Sequence, residues 1–210
     1  MNHGHFSCIA KYPEANQIIM MKTITFGISL CVAAVLAGSG AAAQTNGERE
    51  EFSAAAIRSD NLGSGADRVI MRVTRWSTEA ERSKLVPLLL KNDNAALLNV
   101  LRELQSVGTI RTPDTLGYDL RYAHQEPGED GGRRIVLATD RPISFWEAAN
   151  QPRTIDYPFT VIQMQIDKNG EGKGTMSVAT KIIARANTIE LENFTTSPVM
   201  LSDIKAKKIN

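Results

Sequence analysis

The sequence predicts an α+β domain, an antiparallel sheet of about 6–8 strands with an αα-hairpin packed on one face. Three observations carry that expectation. Several stretches alternate apolar and polar residues with a period of two, and connections of hairpin length separate them. A single leucine-rich stretch between Thr78 and Leu104 switches to helical spacing. No internal repeat interrupts this order, and the composition, 42% hydrophobic and 22% charged over 210 residues, is that of an ordinary globular chain.

Taken in order, Val69, Met71 and Val73 alternate with Arg68, Arg72 and Thr74, which makes a first strand from Asp67. Thr78 opens a helix, with Glu81 three residues on completing a capping box. Leu85, Leu88 and Leu89 form its apolar stripe, and Pro87 is expected to kink it. Asn92-Asp93-Asn94 breaks the chain before Leu97, Leu98, Leu101 and Leu104 resume at helical spacing. After Gly108 the period returns to two. Tyr118, Leu120 and Tyr122 make one strand, and Ile135, Leu137 and Thr139 the next. Phe145–Ala149 reads as a short helical turn. A strong strand follows over Asp156–Ile166, with Thr160, Ile162, Met164 and Ile166 on one face. Asp167-Lys168-Asn169-Gly170 turns it back into Lys173–Thr180. Two short strands are expected around Ile189–Leu191 and Val199–Leu201.

The N-terminal third reads as an address. Lys22, an apolar run from Ile24 to Ala37 and small residues at Ala41 and Ala43 match a signal peptide over 21–43, cleaved before Gln44. The run is too short to span a bilayer, so no stable membrane span is expected after cleavage. Residues 1–20 are aperiodic, with Met20-Met21 at the junction to the signal peptide, which is expected of a start-site artefact. Residues 44–66, rich in Gly, Ser and Ala, read as a flexible leader, and 67–210 as one domain. The protein is thus expected in the periplasm or outside the cell. Cys8 and Cys31 both precede Gln44, which removes disulfides, thiolate metal sites and thiol nucleophiles from the mature chain. Its formal charge, +1 over the whole sequence, gives no electrostatic reason to invoke nucleic acid.

Several motifs bear on chemistry. Asp167, Asn169, Glu171 and Gly172 fit the start of a calcium loop, but Val178 stands where the bidentate glutamate belongs, so a hairpin turn is expected. His124 is the only histidine after Gln44, too few for an imidazole metal site, and reads as an exposed edge residue. Neither metal nor cofactor is expected. Asn193-Phe194-Thr195 matches a glycosylation acceptor, which has meaning only in a eukaryotic secretory pathway. Arg111, Arg121, Arg133 and Arg134 form either an anion patch or cross-strand ion pairs with Glu126 and its neighbours, and ion pairing is the simpler reading. The densest polar–aromatic cluster is Asp140, Arg141, Trp146 and Glu147, with Arg121 as a further arginine for binding. Its competing explanation is an Asp–Arg pair that fixes the exit of a strand.

The phrases Arg75-Trp76-Ser77-Thr78, Gly131-Gly132-Arg133-Arg134-Ile135, Thr139-Asp140-Arg141-Pro142 and Tyr157-Pro158-Phe159 resemble those of an uncharacterised family of exported bacterial proteins with no assigned activity. That resemblance covers roughly residues 68–205. It implies export and a single domain, and it carries over no catalytic residue. Two functions therefore stand as expectations. The first is a non-catalytic binding module for an unknown small molecule or protein, using an apolar cavity between sheet and helix pair or the loops around Asp140–Glu147. The second is a metal-independent hydrolase or lyase in which Glu147 or Asp156 works with Arg141 on an anion.

Overall fold

The structure, a computed structural model, describes residues 47–60, 63–128, 131–143, 156–185, 188–193 and 198–210. The expected signal peptide, the stretch before it, and Trp146 and Glu147 lie outside the described residues.

The architecture corrects the expected fold class. One antiparallel sheet of ten strands dominates, rolled into a nearly closed barrel, with two short helices. In chain order the elements are β1 (Glu50–Asp60), β2 (Gly63–Val73), α1 (Glu79–Leu90), α2 (Asn94–Glu103), β3 (Gly108–Arg111), β4 (Tyr118–Leu120), β5 (Tyr122–Pro127), β6 (Arg133–Ala138), β7 (Phe159–Ile166), β8 (Glu171–Arg185), β9 (Thr188–Asn193) and β10 (Val199–Lys208). The strands follow the order β4-β3-β2-β1-β10-β8-β7-β6-β5, with β9 paired to β8 off that path.

Two differences produce the larger sheet. First, residues expected as a flexible leader form β1, which runs in full register with β2 from Glu50↔Val73 to Asp60↔Gly63 and pairs with β10 on its other side. Phe52, Ala54 and Ala56 of β1 point inward and are buried. Second, the two ends of the sheet are joined covalently. Only Arg121 separates β4 from β5. Leu120 O accepts from Val107 N at 2.8 Å, on the β3 side, and Arg121 N donates to Ala138 O at 2.8 Å, on the β6 side. Ser77 and Ala123 bridge the remaining seam: Ser77 N donates to Ala123 O at 2.9 Å, and Ala123 N to Ser77 Oγ at 3.0 Å. Counting β4 and β5 as one stave, the barrel has eight staves in simple up-and-down order.

An eight-stranded barrel is just wide enough for side chains to fill. Here they do. Phe52, Met71, Ile110, Leu120, Ile135, Leu137, Ile162, Met164, Met176 and Leu201 are all less than 2% exposed. Glycine makes room where β7 and β8 cross: a Cβ on Gly172 or Gly174 would lie 2.1 Å from Gln165 O or 2.3 Å from Gln163 O. One end of the barrel is closed by a polar plug. The buried Glu50 carboxylate accepts two hydrogen bonds from Arg133, at 2.9 and 2.6 Å, and Arg133 also donates to Gln125 Oε1 at 2.8 Å. The guanidinium lies 5.8 Å from the centre of the Phe52 ring.

The helices pack outside the barrel. Thr78 caps α1 as the sequence requires: its Oγ1 accepts from Glu81 N at 3.2 Å, and Glu81 Oε2 accepts from Thr78 N at 2.8 Å. The same carboxylate takes a two-point contact from Arg75, at 3.0 and 2.9 Å, while Arg75 also donates to Gln105 O beyond α2. The helix runs through Pro87 to Leu90. Partial burial acts to raise the Glu81 pKa, but the hydrogen bonds from Arg75 and Thr78 outweigh it and hold the carboxyl below its ordinary 4.5. The folded value lies below the unfolded one, so this stabilisation is complete above about pH 4.5 and is lost as pH falls through the folded value. Glu81→Ala removes the carboxylate half of the capping box and the ion pair together, while the Thr78 Oγ1 contact to the backbone of residue 81 remains. We expect it to cost about 2 kcal/mol at pH 7 in chemical denaturation, and to cost markedly less at pH 3. An equal loss at both pH values would contradict this.

Candidate functional site

Strand β7 is buried on both faces, which places a second apolar layer outside the barrel. Its inward residues are Thr160, Ile162, Met164 and Ile166, and its outward residues begin with Phe159 and Val161, 0% and 5% exposed. Leu85 of α1, Leu97 and Leu101 of α2 and Leu104 just beyond α2 cover that outer face. The far half of β8 and β9 form a hairpin arm that extends past the start of β7, bringing Ile182 and Leu191 over the same layer.

The arm is held on both sides. The edge of β8 that β7 no longer covers is paired by side-chain amides from the α1–α2 turn. Ala184 N donates to Asn92 Oδ1 at 2.6 Å and Asn92 Nδ2 donates to Ala184 O at 3.3 Å. Ile182 N donates to Asn94 Oδ1, and Asn94 Nδ2 to Ile182 O, each at 3.0 Å. Asn92 sits at φ 56°, in the left-handed region that asparagine tolerates. Across the arm, Tyr157 Oη donates to Glu192 Oε1 at 2.7 Å, and Lys181 Nζ lies 5.3 Å from the Tyr157 ring. That hydrogen bond to Glu192, more than burial, raises the Tyr157 pKa above its ordinary 10.0.

Between barrel, helices and arm lies a cavity of about 190 Å³. Its floor is a patch of eight outward residues on β5, β6 and β7, set by strand register. Tyr122 opposes Ala138 and Ala138 opposes Val161; His124 opposes Val136 and Val136 opposes Gln163; Glu126 opposes Arg134. Phe159, Leu85, Leu97, Leu101, Ile182 and Leu191 make the walls apolar, whereas Arg82, His124, Glu126, Arg134 and Gln163 bring polar groups to the lining. Glu126 and Arg134 form an ion pair at 3.0 Å. His124, expected as an exposed edge residue, is half-buried and lines this cavity. Burial and then the nearby Arg82 charge hold its pKa below the ordinary 6.5, with Glu126 and Glu79 opposing.

The cluster singled out in the sequence is elsewhere. Asp140, at the end of β6, is buried. Its Oδ2 lies 3.5 Å from Arg121 Nε, and its Oδ1 accepts from Arg141 Nε at 3.4 Å. Arg121 also reaches Asp119 at 3.3 Å and donates to Leu104 O at 3.2 Å. Arg121 and Asp140 therefore tie the joint between β4 and β5 to the strand exit, while the Arg141 side chain is 58% exposed. None of the three lines the apolar cavity. Asp156 is exposed, and the Asp167–Gly170 segment makes a hairpin turn in which Asp167 Oδ1 accepts from Asn169 N and Glu171 N. The cavity residues His124, Gln163 and Arg82 were not foreseen. Apolar residues on both faces of β7 were the available signal.

Comparison with protein-family models, with curated proteins and with solved structures finds no match. The geometry of the chain must therefore carry its functional interpretation.

Proposed function

We propose that this protein is a non-catalytic binding module whose ligand is a small, largely apolar molecule held between the barrel, the helix pair and the β8–β9 arm. The observation that carries the proposal is the separation of two apolar regions. The barrel interior is filled by its own side chains, yet a second apolar region outside it encloses a cavity with a few polar groups in its lining. Apolar walls with a small number of orienting polar groups are the usual make-up of a ligand site. The volume, about 190 Å³, slightly exceeds the roughly 150 Å³ of an apolar cavity that accepts benzene. One aromatic ring, or an aliphatic chain of about six to eight carbons, matches that size.

Val136 lies at the centre of the floor, so Val136→Trp fills the cavity from below. The test is a thermal-unfolding titration of wild type and variant with benzyl alcohol and 1-octanol. A ligand present at a hundred times its Kd adds about 2.7 kcal/mol. That corresponds to a rise of roughly 5–10 °C for a domain of this size. We expect the rise in the wild type and its loss in a folded Val136→Trp. A wild type indifferent to every ligand in the series, or a variant that responds equally, would remove the proposal.

A further inference from the structure

We propose that the β8–β9 arm is a lid over this cavity, hinged at a bulge in β8 and latched shut by Asn92 and Asn94, so that the latch sets how fast a small apolar molecule enters and leaves. The traffic through the lid rests on the binding role proposed above, whereas hinge and latch rest on contacts within the chain.

The hinge lies where the barrel ends. Val161 of β7 pairs with Ser177 and Phe159 with Thr180, so two steps along β7 match three along β8. The extra residue makes a bulge, which interrupts the ladder and bends the strand that carries it. Beyond Thr180, β8 keeps β9 as its strand partner and has left β7 behind. The arm is well knit to itself. Six residue pairs run from Thr180↔Asn193 to Arg185↔Thr188, and Arg185 reaches Glu190 at 2.8 Å, so the hairpin turns as one piece. The Tyr157 brace meets it at Glu192, one pair from Thr180 and close to the pivot, where displacement is smallest.

The latch lies farther out. Successive residues of a strand turn their N–H and C=O groups to opposite sides, and those of Ile182 and Ala184 face the α1–α2 turn. Among the described residues no strand meets them there. Each meets one asparagine amide instead, which offers an acceptor and a donor as a neighbouring strand would. Asn92 is exposed and Asn94 half-buried, so water competes for these contacts and their net strength is small. Ala184 is four residues beyond Thr180, about 13 Å along the strand. A modest turn at the bulge therefore parts both amides from β8. It also carries away the cavity wall made by Ile182, Ile189 and Leu191. Packing of Ile182 and Leu191 over the leucines of both helices favours the closed state, and the two asparagines hold it there.

A thiol on the cavity floor reads opening without any ligand. In the full-length chain carrying Cys8→Ser and Cys31→Ser, Val161→Cys should react slowly with iodoacetamide. Adding Asn92→Gly and Asn94→Ala should speed that reaction at least about tenfold. Glycine at position 92 tolerates the φ of 56° and removes only the latch. Val69→Cys, buried inside the barrel, should react equally slowly with and without the latch, which separates lid opening from global unfolding. If the doubly substituted latch does not fold, Asn94→Ala alone should give a several-fold gain. Benzyl alcohol should slow the labelling of Val161→Cys. Labelling indifferent to the latch overturns the lid and assigns entry to the polar end of the cavity, at Glu126 and Arg134, while the ligand site is still decided by its own thermal titration. Labelling that the latch controls but benzyl alcohol leaves unchanged overturns the arm's role as a gate to a ligand site.

Discussion

Replacing Arg133 by methionine should destabilise the protein by roughly 3–5 kcal/mol, because it leaves a buried carboxylate without the guanidinium that hydrogen-bonds it. Glu50 is only 6% exposed, and both its oxygens accept from this guanidinium. Gln125 loses a donor in the same stroke, and the Phe52 ring loses the cation beside it. Methionine keeps most of the aliphatic volume, so the loss reports on charge rather than on a void. The double variant Glu50→Leu with Arg133→Met should recover most of the deficit, since a buried ion pair replaced by apolar groups of similar size is often neutral. Urea unfolding of the three variants at pH 7 measures both effects. A single variant within 1 kcal/mol of wild type would show that the plug at this end of the barrel is incidental.

Phe159→Ala should cost a comparable 3–5 kcal/mol, for a different reason. Phe159 is fully buried at the start of β7, on the face opposite the barrel core, between the strand and the leucines of both helices. It also lines the cavity, so truncation merges the vacated volume with the existing space. The variant should therefore be weak when empty and should recover part of its stability on binding a bulkier molecule. Indole serves as the probe. A stability gain with indole larger than that of the wild type is the expected result. A loss of stability with no ligand response in either protein would assign Phe159 to packing alone.

Much of the local structure could be read from the sequence, and the closure of the sheet could not. Alternation placed the strands that contain Val69–Val73, Ile135–Leu137 and Thr160–Ile166, and the Thr78–Glu81 spacing placed the start of α1. β1 escaped because Ala54, Ala55 and Ala56 put small residues on both of its faces, so its alternation has little amplitude. Gly63-Ser64-Gly65, which reads as a flexible stretch, opens β2 and pairs with the end of β1. Closure depends on one stave serving β3 with its first half and β6 with its second, a long-range arrangement to which local periodicity is blind. The lining of the outer cavity was missed for a related reason, although an apolar cavity between sheet and helix pair was expected. Thr160, Ile162 and Met164 read as one face of β7, yet Phe159 and Val161 make the other face apolar too, and a strand apolar on both faces requires a cover on each. The Asp140 cluster stood out because charged residues near a strand exit are conspicuous, but a buried aspartate between two arginines also serves to hold a joint together.

The pairing of β1 with β10 governs how the chain is made. Glu50 lies opposite Lys208, so the contact that completes the barrel joins segments about 150 residues apart. A ribosome that has delivered the chain through Arg185 has produced seven of the eight staves, yet β1 and β8 each still present an open edge where β10 belongs. Contacts of such sequence separation form slowly, because the intervening chain must be gathered in before they return any stabilisation. A nascent or stalled chain therefore displays two unpaired strands, each a template for intermolecular pairing. The tenth strand removes both at once, so the native fold is reached only after Val199–Lys208 has been synthesised.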